Sequence, residues 1–177
     1  MRKSMLSGLS VLLFAVSTQA LAQAPQPGPE VKKLEAWVGV WRYEGNAKAS
    51  PMGPAAKIAG TQTGRMVMNG FALEWKAEEK GAFGGVQWGE MDAYDASAKN
   101  YPFFGYQNDG TIWWGDNAVS GNTWKVTQTI ISKGTHYMVR GAGSFSADGK
   151  TYTWKVEISS DGKTWAPWTE GTMTKSM

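Results

Sequence analysis

Few residues in this chain are equipped for chemistry. Among 177 residues there is one histidine and no cysteine. The missing Cys removes disulfides, thiolate nucleophiles, iron–sulfur clusters and thiolate zinc sites together. A lone His136 removes any metal site that needs two imidazoles. It stands in His136-Tyr137-Met138-Val139-Arg140. Read as a strand, the run puts His136, Met138 and Arg140 on one face and Tyr137 and Val139 on the other. Two readings follow. If the dry face lines the interior, His136 meets solvent. If the interior is polar, His136 and Arg140 point into it together, where they would suit a carboxylate-bearing ligand, or a haem with His136 as axial ligand.

The acids offer no convincing catalytic pair. Glu90, Asp92 and Tyr94 share a face by period two, but Asp95 follows, and the run reads as the entrance to a turn, where solvated acids are common. Glu74 alternates with Trp75 and reads as exposed. No G-x-S-x-G elbow would present a serine to His136, and there is no P-loop or dinucleotide fingerprint. An enzyme on this chain would be an isomerase or lyase using Tyr94, Glu74 or His136 in a dry pocket. The aromatic side chains are the larger asset, with 10 Trp, 6 Tyr and 6 Phe. Trp75, Trp88, Tyr94 and Trp154 are candidates to line a cavity. Trp113 and Trp114 are adjacent, so they point to opposite faces of one strand. Trp165 and Trp168 flank Pro167 and read as an edge or rim. The candidate ligand-binding set is therefore Trp75, Trp88, Tyr94, Trp113, His136 and Arg140.

The elements that must position these residues read as hairpins. Asn69-Gly70, between Met66-Val67-Met68 and Phe71-Ala72-Leu73, is the strongest turn signal, because both residues accept positive φ. Asn108-Asp109-Gly110, Gly121-Asn122, Lys133-Gly134, Asp148-Gly149 and Asp161-Gly162 give further breaks. Between them alternation is clear. Tyr152, Trp154, Val156 and Ile158 oppose Thr151, Thr153, Lys155 and Glu157, and Leu73, Trp75 and Ala77 oppose Glu74, Lys76 and Glu78. About ten short strands joined by tight turns, with no long crossover, predict an all-β, up-and-down antiparallel barrel rather than a Greek-key sandwich. A barrel that wide leaves room for a ligand, since about eight strands already can hold one.

The N-terminal part is different. Arg2 and Lys3 precede an apolar run over residues 9–16, and Ala20-Leu21-Ala22 fits an A-x-A cleavage site. The run is too short to span a bilayer, which takes roughly 20 residues. The reading is a signal peptide over residues 1–22, a Pro-rich linker over 23–29, and the barrel domain over 30–177, secreted or periplasmic after cleavage. Pro29 and Glu30 suit a helix start, and Val31, Leu34 and Val38 form an apolar stripe over a short helix spanning residues 30–37. Lys32-Lys33 is the densest basic pair, so nucleic acid is not an expected partner.

The run Leu34-Glu35-Ala36-Trp37-Val38-Gly39-Val40-Trp41 resembles the G-x-W opening of lipocalin-like, or calycin, barrels. With Asn69-Gly70-Phe71-Ala72-Leu73 and Gly89-Glu90-Met91-Asp92-Ala93-Tyr94-Asp95, followed by Lys99-Asn100-Tyr101, the chain is similar to an uncharacterised family of exported bacterial proteins carried as a domain of unknown function. The resemblance implies that Gly39 and Trp41 form a structural plug at the closed end. It also implies a basic residue from the last strand over that Trp. Arg is common there, and this chain has Lys175. Haem through one His is known among the calycin-like nitrobindins, which is what His136 would imply. The expected function is binding of a small hydrophobic or amphiphilic molecule in the lumen. An outer-membrane barrel is a further alternative, with short strands and frequent glycines against it.

Overall fold

A computed structural model describes residues 25–81 and 85–176. The leader expected at residues 1–22 lies outside the described residues. A single helical turn, α1 (Pro29–Lys32), passes directly into a 3-10 turn over Lys33–Trp37. Pro29 begins the helix where its missing N–H costs nothing, and Glu30 lies at its positive end. The buried residues are Val31, Leu34 and Trp37. The expected stripe ended on Val38, but the tighter 3-10 winding has three residues per turn and brings Trp37 into line instead.

Ten antiparallel strands follow: β1 (Gly39–Ala47), β2 (Ala56–Val67), β3 (Ala72–Gly81), β4 (Val86–Ala93), β5 (Tyr101–Gln107), β6 (Ile112–Ser120), β7 (Thr123–Ser132), β8 (Thr135–Phe145), β9 (Thr151–Ser159) and β10 (Ala166–Lys175). Each pairs with its neighbours in sequence, and β1 pairs with β10 to close the barrel. Closure leaves no free sheet edge. The β2–β3 turn is longer than Asn69-Gly70 alone predicts. Val67 pairs with Ala72, and Met68, Asn69 and Gly70 all have positive φ. The Asp-Gly turns reuse one device: Asp109, Asp148 and Asp161 each accept a backbone N–H two residues on, and Gly110, Gly149 and Gly162 take positive φ.

One end of the barrel is sealed by aromatic rings. Trp37 enters from the 3-10 turn and packs against Phe145 and Tyr152, each with centroids 4.5 Å away, and against Trp75 and Trp124 at 5.4 and 5.5 Å. Trp41 is fully buried beside it, and its indole N–H donates to the Trp37 carbonyl at 2.9 Å. Lys175 pairs in register with Trp41 and holds its Nζ 5.3 Å from the ring centroid. Gly39 sits at φ +122, and a Cβ there would lie 2.9 Å from Lys175 Cε. Glycine at this position therefore makes room for the lysine that lies over Trp41.

The outer surface of the barrel is charged. Arg65–Glu74, Arg140–Glu157 and Lys155–Glu170 pair across neighbouring strands on that face. A barrel embedded in lipid needs the reverse, an apolar band outside. No helix among the described residues is long and apolar enough to cross a membrane.

Candidate functional site

Inside the barrel, the half away from the plug is open. A cavity of about 700 Å3 runs in from the mouth, where Met52, Gly53 and Pro54 of the β1–β2 loop form part of its rim. Trp88, Trp113, Trp154 and Trp168 wall it. A wider depression of about 1040 Å3 crosses the outside of β8, β9, β10, β1 and β2. Glu44, Lys57, Lys155 and Glu170 line it on the charged outer face, whereas the buried acids lie in the lumen.

Two rows of side chains carry acids into the lumen by the same geometry. Across β4, β5 and β6 the register runs Glu90, Gly105, Trp113. Gly105 has no side chain, so the Trp113 indole lies across it and donates its N–H to Glu90 Oε2. A Cβ on Gly105 would fall 2.1 Å from Trp113 Cε2. Across β1, β2 and β3 the register runs Tyr43, Gly60, Glu79. Here the Tyr43 phenol passes over Gly60 and donates to Glu79 Oε2 at 2.8 Å. Each carboxyl is thus held by an aromatic donor two strands away, over a glycine between them.

A third acid lies deeper. Asp92 is 4% exposed and accepts the Trp75 indole N–H at 3.0 Å. It follows Glu90 on the same face of β4, toward the plug. Burial raises Glu90 to about 7, partly offset by the Trp113 bond. Burial likewise raises Asp92 well above its usual range, the nearby Glu90 charge adds to this, and the Trp75 bond opposes it. Burial also raises Glu79, against the bond from Tyr43. The Tyr43 phenol is raised by burial and then by the Glu79 charge. Glu90 is surrounded by barrel yet keeps part of its surface on the cavity. It is an enclosed carboxyl that can give or take a proton near neutrality.

The candidate residues separate by position. Trp88 and Trp113 line the lumen and meet edge to face with centroids 6.1 Å apart. Trp75 and Tyr94 lie in the sealed end instead, Trp75 against Trp37 and Tyr94 against Tyr101. Trp114 is exposed outside, as its adjacency to Trp113 requires. His136 and Arg140 are both on the outer face, because Tyr137 and Val139 between them turn inward and are buried. Arg140 donates to Glu157 at 2.9 Å and stacks 4.1 Å over Trp165. It therefore meets no lumen carboxylate, and His136 offers no axial position for a haem inside the barrel. Glu74 is on the outside, bonded to Arg65. Glu90 and Asp92, expected as solvated acids at a turn, are enclosed because β4 continues to Ala93. No group of three or more His, Asp or Glu among the described residues could hold a metal ion.

No protein-family model matches the chain, and no curated protein sequence does. Solved structures do. The crystal structure of Rv2717c from M. tuberculosis superposes with a TM-score of 0.60 at 11% identity, over 85% of this chain and 99% of that one. An S-type phycobiliprotein lyase, CPES from Guillardia theta, superposes at 0.53 with 8% identity, over 82% and 92%. At these identities the likeness is one of fold alone, and the fold of this chain is a closed ten-stranded antiparallel barrel.

Proposed function

We propose that this protein binds a small hydrophobic or amphiphilic molecule in the open half of its barrel. The observation that carries the proposal is the lumen itself: about 700 Å3, walled by tryptophans and reached from the mouth. Binding pockets of about 300–1,000 Å3, mostly apolar with a few placed polar groups, are typical of small-molecule sites. The sealed end supports the same reading, since the plug fills its half with its own side chains while the other half stays hollow.

Native mass spectrometry of the protein purified from its own host is the direct test. A co-purified molecule of definite mass supports the proposal. Alkanol titration followed by Trp emission is the second arm, because four of the cavity walls are tryptophans. No added mass and no response to any alkanol would overturn it. The proposal includes export, resting on the A-x-A leader; the intact mass of the mature chain then begins at Gln23, and an uncut chain would count against it.

A second reading, an isomerase- or lyase-like enzyme on the same scaffold, is favoured by one observation. Glu90 faces the cavity with its proton balanced at about 7. The groups first considered for that chemistry, Tyr94, Glu74 and His136, do not reach the cavity. A co-purified compound converted by the wild type and unchanged by Glu90→Gln would support it.

A further inference from the structure

The charge inside the lumen says which kind of polar end its ligand carries. We propose that the ligand is an amphiphilic organic cation, with its ammonium group against Glu90 in the corner made by Trp88 and Trp113, and its apolar part toward the mouth. This rests on the lumen being a binding site, as proposed above.

Three observations converge. The first is sign. Glu79 and Glu90 line the cavity, Asp92 lies just below Glu90, and Asp109 stands at the mouth. Among the described residues the only basic lining group is Lys133, in the β7–β8 turn at the rim. Arg42, Lys57, Arg65, Lys76, Lys80, Lys125, Arg140 and Lys155 are all on the outer face. Lys175 is at the sealed end over Trp41. Deep in the lumen an anionic head would meet the carboxyls of Glu90 and Asp92, with Lys133 at the rim and the unpartnered Trp168 indole N–H as the donors it could reach among the described lining residues.

The second is an open acceptor. Trp113 engages Oε2 of Glu90, and among the described residues Oε1 takes no hydrogen bond. That oxygen opens onto the cavity, where a ligand N–H or cation can pair with it. The third is the shape of the walls beside it. Trp88 and Trp113 meet at 73°, so an inserted group meets the face of one ring and the edge of the other. A cation over an indole face is stabilised by the ring quadrupole, more strongly when water is excluded.

The proposal makes binding pH-dependent. Glu90 must be ionised to hold a cation, and burial keeps it at about 7. The titratable groups around it are Asp92 on its own strand, Glu79 on β3, Tyr43 on β1, and Asp109 and Lys133 at the mouth. Asp92 and Glu79 are raised by burial as well, so falling pH weakens the charge they offer a cation in the same direction as at Glu90.

Three probes share one ten-carbon chain: decylammonium, decanol and decanoate, each titrated calorimetrically below its micellar concentration. At pH 8 decylammonium should bind at least about tenfold tighter than decanol, with decanoate weakest. The gap should narrow as pH falls to 5.5, and Glu90→Gln should narrow it at pH 8. If decanol binds and decylammonium does not exceed it, or decanoate binds best, the cation proposal fails and the lumen reading stands. If none of the three binds, the cation proposal fails, and the lumen reading fails with it where mass spectrometry also finds no co-purified molecule and no alkanol shifts Trp emission. The pH series uses the unaltered protein, so a poorly folding variant does not decide the outcome.

Discussion

Glu90→Gln also tests the electrostatics of the lumen through stability alone, without any ligand. In the folded protein burial holds Glu90 at about 7; in the unfolded chain it returns to the ordinary 4.5. The folded state therefore holds a proton, between those values, that the unfolded chain has released. Stability from this source is fully present below 4.5 and is lost as pH rises through 7. At ~1.36 kcal/mol per pH unit the whole effect is ~3 kcal/mol, of which ~2.5 kcal/mol falls between pH 5 and pH 8. Asp92 and Glu79 act in the same direction, since burial raises both. Surface acids such as Glu30, Glu74 and Asp161 are lowered by their hydrogen bonds, so their stability is lost only in more acidic solution, outside this window. Urea unfolding followed by Trp emission at pH 5, 6, 7 and 8 measures the slope. The wild type should lose about 2–3 kcal/mol across the series. Glu90→Gln keeps an oxygen for the Trp113 N–H, should lose much less, and should be the more stable protein at pH 8. Parallel profiles for the two, or a wild type whose stability is flat or rising from pH 5 to 8, would refute an enclosed Glu90.

Four further outcomes can be checked on the same protein. Gly105→Ala places a Cβ where the Trp113 indole lies, so it should cost about 1–3 kcal/mol in urea unfolding and weaken alkanol binding. Trp37→Ala empties the sealed end and should cost about 3–5 kcal/mol, read from the same unfolding curves. Lys175→Met keeps the chain over Trp41 but loses the charge, and should cost about 1 kcal/mol, with Lys175→Arg restoring it in thermal melts. Arg140→Ala removes an exposed pair and a stack on Trp165 outside the barrel, so alkanol affinity should be unchanged by titration; a clear loss would place Arg140 in the lumen after all.

Much of this architecture is legible in the sequence, and the part that is not has a physical cause. Alternation of Leu73, Trp75 and Ala77 against Glu74, Lys76 and Glu78 reports a face dry on one side, which is what β3 shows. G-x-W at Gly39 and Trp41 marks the plug, and Lys175 takes the basic position over the ring. Trp37 is missed because the helix stripe assumes 3.6 residues per turn where the chain winds as 3-10. His136 and Arg140 are undecided in sequence, since alternation says they share a face without saying which; Tyr137 and Val139 settle it by burying themselves. Glu90 and Asp92 are read as solvated because Asp95 and a turn follow them, although period two already places them with Trp88. Gly60 and Gly105 carry no signal at all. Their role as gaps under Tyr43 and Trp113 exists only once register brings three strands side by side.

Those gaps divide the barrel into halves with different economies of polar groups. In the sealed half Asp92 is capped by Trp75 and Trp41 by the Trp37 carbonyl, and packing fills what remains. Such a half needs nothing from outside. In the open half two strands give up a side chain, at Gly60 and Gly105, so that aromatic donors can reach carboxyls that burial opposes. A barrel selected for stability alone would place an apolar residue at Glu90, since burying a carboxyl without full pairing costs free energy. Retaining the acid, one donor and an open oxygen makes the lumen less stable at neutral pH and more selective. A cation bound there returns Glu90 toward its ordinary range and recovers that stability on binding. Ligand-induced stabilisation should accordingly be larger at pH 8 than at pH 5.5, the opposite trend to that of the free protein.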